Sequence, residues 1–565
     1  MYKDGGTKVV STVSDSQKHM LSIRLLGRKR QERQDAVVRI VIRSLVMLTH
    51  WARNEQPKIK KHGNGRPQKV VNNFGEMSTR TDNSFQEAVR ALGWIICTGI
   101  RAESSSLGKG ETEMNTLRML SQYGITHMVI RKKTEGDGLH LAQCIERTCG
   151  AMSWVPKDVS ILVAGAGTRD HISQIFLDVS TIILRALGVR TLDDLHKVDK
   201  WLRNKESLAK KIVETLNGLK IAFVGDLLHS RVTHDWIHLG EIFTIKFLFI
   251  GPRPLWPEKW CVEGISSGFS EELSSALGCD ILYTIRLQIE RLKEMMSEHE
   301  ARAMVLRYQI TSDFMTRFRG ELMDALPLDA HSPMIHPDVI NHQRNIMFMQ
   351  SYMGVPTRMA MLVECDEGRS GTFPLLRVPS FRMKGQFILK AQSHDEHMAE
   401  MKRKYRGREM FAGQVSEGVV IDRLRPGTVD IIHRLNDALG VYRGEHGPIL
   451  LGKDFTSASM GRKEVLFMHG VDLPLSIATI YGLVAPEARI SMMTSNHGYR
   501  RLELPLPEAV EGVFPCLNTD CVTNHCPEAR TFHFVSGTKG GVGLNCAYCE
   551  RPFSMDAILQ ALRKK

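Results

Sequence analysis

Apolar residues recur at helical spacing between residues 30 and 55, where Val37, Val38, Ile40, Val41, Leu45 and Leu48 predict a helix. Residues 1–16 read as a flexible N-terminus, and 56–68, polar with Gly and Pro, as a loop. From 70 to about 290, short apolar runs alternate with helical patterns. The runs are Thr126–Ile130, Ser160–Ala164, Lys220–Gly225, Ile245–Ile250 and Asp280–Thr284. Short runs separated by helices predict parallel sheets covered by helices, the α/β class. Two such units fit, 17–170 and 171–345, and 346–364 reads as a closing helix.

Beyond that point the pattern changes. Residues 365–412 hold Gly, Ser and Pro, then a charged run from His394 to Glu409, and read as a linker with room for one solvated helix. From 413 to 508 strand-like runs mix with helices, including Leu435–Leu439 and Leu475–Leu483, which predicts a small α+β unit. A last compact unit occupies 509–565.

At 565 residues, 42% hydrophobic and 24% charged, the chain can bury several cores without disulfide staples. No run reaches the ~18 apolar residues of a membrane helix, and no apolar signal-peptide core opens the chain, so a cytoplasmic location is expected. The formal charge of +13 is concentrated at the start, where residues 1–70 hold 16 Lys/Arg against 5 Asp/Glu. This segment reads as a solvated basic helical region, and nucleic-acid binding is the competing reading. Positive potential also suits anionic substrates.

The eleven cysteines divide sharply. Cys97, Cys144, Cys149, Cys261, Cys279, Cys365 and Cys526 have no paired spacing and read as small buried hydrophobes of a reducing compartment. Cys516 and Cys521 are separated by four residues, Cys546 and Cys549 by two, with 24 residues between the pairs. Two such knuckles can bring four thiolates to one tetrahedral metal, and zinc suits four sulfur ligands. A closed sphere leaves no position for water, so the zinc would be structural. In a unit of this size it would supply much of the folding energy.

Ser78-Thr79-Arg80-Thr81 lies after an apolar run (Val70, Val71, Phe74) and before a helical pattern (Phe85, Ala88, Val89, Leu92). A hydroxyl-rich turn with an arginine at a helix N-terminus suits phosphate, through free N–H groups, short donors and a planar cationic fork. An ordinary N-cap is the plainer reading of the same residues.

The run resembles the carbamoyl-phosphate loop of the aspartate and ornithine carbamoyltransferases, and the resemblance continues in chain order. Ser106-Leu107-Gly108-Lys109-Gly110-Glu111-Thr112 looks like the family's mobile loop, which brings a serine and a lysine into a neighbouring subunit's site. Arg131 matches the arginine after the next strand, and Gly165-Ala166-Gly167 with His171-Ile172-Ser173-Gln174 is similar to the Gly-Asp-Gly and His-Pro-Thr-Gln segments. Val224-Gly225-Asp226-Leu227 with Arg231, and Arg286-Leu287-Gln288-Ile289-Glu290-Arg291, resemble the aspartate branch. Two arginines facing one dicarboxylate fit that acceptor. The ornithine branch's Cys-Leu-Pro segment is missing. Leu326-Pro327 with Ile335-His336-Pro337-Asp338 looks like the loop that closes over the substrates, and Gly354 to Leu362 like the final helix.

Residues 413–565 resemble the family's regulatory chain, through Gly418-Val419-Val420-Ile421-Asp422, Met460-Gly461-Arg462-Lys463-Glu464 and the cysteine spacing. The resemblance implies two Rossmann-like domains of the carbamoyltransferase fold, then a ferredoxin-like regulatory domain and a small zinc-ribbon-like domain, fused in one chain. It implies transfer of a carbamoyl group from carbamoyl phosphate to L-aspartate. Ser78, Thr79, Arg80, Thr81 and Arg131 would bind the phosphate. Thr81 and His171 would polarise the carbonyl, and Gln174 would hold the carbamoyl amide, with Leu326 in the same pocket. Ser106 and Lys109 would arrive from an adjacent subunit. Arg231, Arg286 and Gln288 would grip aspartate beside Lys109. Asp422 and Lys463 would serve a nucleotide effector, and catalytic trimers would form the oligomer.

Several positions depart from the family's pattern. Asp82 stands for a second arginine, Ala166 for an aspartate, Ile172 for a proline, and Asp324-Ala325-Leu326-Pro327-Leu328 for His-Pro-Leu-Pro-Arg. In the tail, Arg423, Phe467 and Ser491 replace a histidine and polar nucleotide contacts. A carboxylate beside a phosphate site is repulsive unless paired. Two other classes therefore stay open: a catalytically impaired homologue acting as scaffold or regulator, and a zinc-ribbon protein that binds nucleic acid.

Overall fold

The computed structural model describes residues 17–564 apart from 60–66, 77, 100–109, 149–157, 289–291, 294–295, 329–332, 370, 372, 374, 377–387, 394, 397–398, 401–402, 404–416, 443–445, 458–459, 472, 495–497, 503–505, 527 and 539–540. Two compact units divide at Leu375 and Leu376.

The first unit holds two parallel sheets. One comprises β1 (Lys69–Phe74), β2 (Ile95–Ile96), β3 (His127–Lys132) and β4 (Ser160–Ala166), in the order β2-β1-β3-β4. The other comprises β5 (Lys220–Gly225), β6 (Lys246–Ile250), β7 (Ser266–Ser270), β8 (Ile281–Ile285) and β9 (Glu321–Asp324), in the order β7-β6-β5-β8-β9. β4 and β8 are buried at every position, as strands covered on both faces must be. Each sheet reverses its winding once, between β1 and β3 and between β5 and β8. The crevices at the carboxyl ends of those strand pairs are where such folds bind ligands.

Helices fill the faces. The Arg30–Ala52 helix buries Val37, Ile40, Val41, Leu45 and Leu48, the stripe its spacing predicted. Met20 extends the first sheet by a parallel bridge to Leu162. The closing segment forms two helices, Met347–Tyr352 and Gly354–Gly368. The second returns to pack on Arg30–Ala52 and on Thr79–Ala91, so the end of the unit locks onto its beginning. The five predicted runs are β3, β4, β5, β6 and β8 within a residue or two. β7, Ser-Ser-Gly-Phe-Ser, is a half-exposed edge strand without an apolar run to reveal it.

In the second unit, β10 (Ile388–Gln392), β11 (Gly418–Leu424), β12 (Ile449–Ser457), β13 (Gly461–His469), β14 (Arg489–Thr494) and β15 (Gly498–Leu502) form one antiparallel sheet, ordered β10-β15-β14-β11-β13-β12. The Val429–Ala438 helix follows β11 and the Leu475–Val484 helix follows β13. The order β14-β11-β13-β12 with these crossovers is the ferredoxin-like arrangement. The 365–412 segment, read above as a linker, thus supplies an edge strand. Among the described residues β10 pairs with β15 alone, and the charged run after it hid a segment whose structure comes from backbone pairing.

Four short strands follow, β16 (Ala509–Glu511), β17 (Phe532–Thr538), β18 (Gly541–Cys546) and β19 (Pro552–Ser554), antiparallel in sequence order. Phe514, Leu544, Met555 and Ile558 join Val419, Ile421, Leu466 and Tyr481 in a single core, so this small sheet does not fold on apolar burial of its own. Among the described residues no helix is long and apolar enough to cross a membrane.

Candidate active site and metal centre

Both switch points of the first unit open into one cavity of about 680 Å³. β1 leads into Glu76 and the turn 78–81. Ser78 is the N-cap of the Thr79–Ala91 helix but makes no side-chain cap hydrogen bond. Its Oγ instead donates to Thr81 Oγ1 at 3.0 Å, which leaves the helix's first N–H groups without that partner. Thr79 and Arg80 are exposed at this end, and Thr81 is buried.

Arg131, on β3, is fixed by Nη1 donating to Ala164 O at 3.0 Å, and the same nitrogen lies 3.2 Å from His171 Nε2. Burial, and then neighbouring Arg231, pull Arg131 down to about 10. Gly165 (φ 147°) makes room for this pair. A Cβ there would stand 2.9 Å from Arg131 Nη1 and 3.1 Å from Arg231 Nη1. His171 caps the Ile172–Ala186 helix, and its backbone N–H donates to Asp235 Oδ2 at 2.7 Å. Burial first, then Arg131, Arg358 and Arg231, hold its imidazole well below the usual histidine range, so it is neutral at pH 7. One turn along, Gln174 Nε2 donates to Asp178 Oδ1 at 3.0 Å.

The second sheet completes the wall. Arg231 begins the helix after β5, and its Nη2 holds Glu76 Oε2 at 2.6 Å while Nε donates to Gly167 O. Arg286 and Gln288 follow β8, and Ala325 and Leu326 follow β9. All of Ser78, Thr79, Arg80, Thr81, Arg131, His171, Gln174, Arg231, Arg286, Gln288 and Leu326 line this cavity. Ser106 and Lys109 lie outside the described residues. The site also contains side chains that sequence reasoning passed over. Glu76 bridges Arg131 and Arg231. Arg358 lines the cavity and is fully buried over Phe85, and burial lowers it to about 9. Asp226 and His229 form a pair on the loop after β5.

Two of the departures from the family pattern are accommodated locally. Asp82 points at β1, where Asn72 Nδ2 donates to its Oδ1 at 2.7 Å, Gln86 Nε2 donates to the same oxygen at 3.1 Å from one turn along its own helix, and it does not line the cavity. The repulsion expected of it is answered by pairing. Ile172 is the first helical residue, a position whose N–H has no intrahelical partner, so the proline it replaces is not needed for the turn.

In the second unit Cys516, Cys521, Cys546 and Cys549 are buried, with all four sulfurs within 4.8 Å of one another. Cys516 and Cys549 lie 3.6 Å apart, Cys521 and Cys546 3.8 Å. Sulfurs ~2.3 Å from a tetrahedral zinc are about 3.8 Å apart, so the cluster fits that ion without rearrangement. Thr523 Oγ1 donates to Cys521 Sγ at 3.3 Å, a contact that favours the thiolate. Asp422 and Lys463 form an ion pair at 2.6 Å on the six-stranded sheet.

Family profiles match in the same order as these structures. The carbamoyl-P binding domain of aspartate/ornithine carbamoyltransferases matches residues 34–183, the Asp/Orn binding domain 217–365, and the metal binding domain of the aspartate carbamoyltransferase regulatory chain 508–559. The aspartate carbamoyltransferase catalytic subunit of Archaeoglobus fulgidus is 31% identical over 301 residues, covering 52% of this chain and 85% of that one. The chain belongs to the aspartate carbamoyltransferase family. It is a carbamoyltransferase, with a regulatory-type, zinc-binding domain whose four clustered cysteines fit a zinc site. The family's catalytic subunit from Methanocaldococcus jannaschii is 28% identical, covering 53% of this chain and 85% of its own. The solved M. jannaschii catalytic subunit is 25% identical and covers 63% of this chain and 100% of its own, with a TM-score of 0.49. A Trypanosoma cruzi aspartate transcarbamoylase solved with carbamoyl phosphate is 23% identical, covering 62% and 97%, with a TM-score of 0.47.

Proposed function

We propose that this cavity passes the carbamoyl group of carbamoyl phosphate to the α-amine of L-aspartate, the family's step in pyrimidine synthesis, with the following division of labour. The phosphate sits at the N-terminus of the Thr79–Ala91 helix, on Ser78, Thr79, Arg80, Thr81 and Arg131. His171 and Thr81 lie against the carbonyl oxygen. Gln174 gives its Nε2 to Asp178, which leaves its Oε1 for the carbamoyl NH2. Arg231, Arg286 and Gln288 take the two carboxylates. The Glu76 carboxylate on Arg231 Nη2 supports this reading, because it shows that this guanidinium takes a carboxylate at the cavity wall. Charge builds on the carbonyl and phosphate oxygens as the neutral amine attacks, and donors held in place beforehand stabilise it without reorganising.

The observation that carries the proposal is the arrival of Arg80, Arg131, Arg231, Arg286 and Arg358 at one cavity from five separate segments. Ser106 and Lys109 would complete it from an adjacent subunit of a catalytic trimer, and Asp422 with Lys463 would meet a nucleotide effector. The zinc, held by Cys516, Cys521, Cys546 and Cys549, takes no part in the chemistry and organises the tail. A direct assay for N-carbamoyl-L-aspartate with both substrates should show turnover, and its absence would favour the impaired-scaffold reading. Arg286→Ala should raise the aspartate KM on the order of 10²-fold while carbamoyl phosphate saturates as before. An unchanged aspartate curve would remove Arg286 from the site.

A further inference from the structure

The reading of the cavity as a carbamoyl phosphate and aspartate site leaves one chemical need unmet. Aspartate arrives as an α-ammonium, which has no lone pair, so a proton must leave before the nitrogen can attack. Among the described residues, the titratable groups that line the cavity are Glu76, Arg80, Arg131, His171, Asp226, His229, Arg231, Arg286, Asp324 and Arg358. The arginines are donors only. Glu76 is held between two of them. The Nε2 of His171 faces the Arg131 guanidinium at 3.2 Å, and added charge there would meet three arginines. Asp324 is buried and engaged by Thr284 Oγ1 and by the Leu326 N–H at 2.6 Å.

His229 stands apart from these. It lies on the loop between β5 and the helix that begins at Arg231, with its side chain one-third exposed at the cavity wall. Its Nδ1 is 2.9 and 3.1 Å from the two carboxylate oxygens of Asp226, which is 2% exposed. Its backbone N–H also donates to Asp226 Oδ1 at 3.3 Å, so ring and main chain are tied to one carboxylate. A carboxylate facing Nδ1 keeps the proton on that nitrogen and leaves the lone pair on Nε2.

We propose that His229 is the catalytic base that takes the proton of the aspartate ammonium, with Asp226 as its positioning residue. The N–H bond breaks toward His229 Nε2, and its electron pair stays on the amine. That pair forms the new C–N bond at the carbamoyl carbon. The C–O bond to phosphate breaks, its electrons leave with the phosphate, and the phosphate takes the second proton of the former ammonium. The imidazolium returns its proton to water. Among the described residues, the charged groups that share the cavity with His229 are Asp226 on its own loop, Arg231 on the next helix, Glu76 after β1, Arg80 on the Thr79–Ala91 helix, Arg131 on β3, Arg286 after β8, Asp324 at the end of β9 and Arg358 on the Gly354–Gly368 helix.

The test is a pH series of steady-state kinetics on the full chain, with wild type and His229→Asn. N-(phosphonacetyl)-L-aspartic acid serves as a binding probe, because its nitrogen is already a neutral amide and needs no base. His229→Asn should lose about 10²–10⁴-fold in kcat near pH 7 while the aspartate KM stays within a few-fold. The deficit should shrink as pH rises and free amine becomes available, and the probe should bind as it does to wild type. Asp226→Asn should lose kcat in the same direction. A kcat within a few-fold of wild type would overturn the proposal. So would a loss constant with pH and accompanied by weaker probe binding, which would mean that His229 only supports Arg231. Wild-type protein without turnover would overturn the reading of the cavity itself, and this proposal with it.

Discussion

The cavity and the cysteine cluster meet the same problem, like charges held close together, by opposite means. The cluster gathers four thiolates from residues 516–549 and needs one cation to reconcile them. The cavity gathers guanidinium groups from residues 80 to 358 and reconciles them in part with Glu76, an anion of its own. A cluster closed on itself leaves no position for a reactant, so it can only build structure. A cavity held by side chains from five segments leaves room for anions, and its charge is what binds them. The comparison predicts that the cluster fails as a unit when one component is lost, and that the cavity loses function one contribution at a time.

The largest effect should follow removal of the metal. Structural zinc in small domains is worth about 10–16 kcal/mol, and the last sheet has little apolar burial to set against its loss. Chelation, followed by limited proteolysis and melting, should show 509–564 opening. The shared core with Phe514, Leu544 and Ile558 should carry part of that loss into the six-stranded sheet, while the 17–375 unit keeps its transition. Unchanged melting after the metal has been stripped would mean that the four cysteines are not a structural site. At the cavity, Arg80→Ala should cost about 10²–10³-fold in kcat, the size expected for one donor to developing charge. Arg80 is exposed and supports no core, so the melting temperature should stay the same. A near-normal kcat would take Arg80 out of the chemistry.

The two regions also differ in how far the sequence discloses them. The cysteine quartet is legible because its spacing is its geometry. The strands β3, β4, β5, β6 and β8 are legible because a doubly covered strand must be apolar throughout. Ser78 to Thr81 is legible only together with the motifs that follow it in chain order, because alone the turn reads as an ordinary N-cap. Glu76, Arg358 and the Asp226–His229 pair are not, since their meaning depends on which strand ends the two sheets bring together. Asp82 misleads for a related reason. Along the chain it adjoins Arg80, but the helix carries it round to face Asn72 on β1. β10 escapes notice because an edge strand needs only backbone pairing on one side.

The smallest effect concerns the acid that joins the two halves of the first unit. Asp178 Oδ1 accepts from Gln350 Nε2 at 2.6 Å and Gln174 Nε2 at 3.0 Å, and Oδ2 accepts from Trp236 Nε1 at 3.3 Å. Tyr283, on β8, stands 2.9 Å from the same Gln350 nitrogen. Burial raises Asp178 to about 7 in spite of these donors. A carboxyl raised on folding contributes stability in full below its unfolded value, about 3.9, and loses it as pH climbs through the folded value. Between pH 4 and 7 the wild type should therefore lose roughly 1 kcal/mol per pH unit relative to Asp178→Asn, which has no proton to release. The cysteine cluster should respond with the opposite sign, because acid protonates thiolates and releases the metal. Melting of the 17–375 unit at pH 5, 6 and 7 separates the cases. If the wild type and Asp178→Asn run parallel across that range, the Asp178 carboxylate is ionised throughout, and its hydrogen-bond donors outweigh its burial.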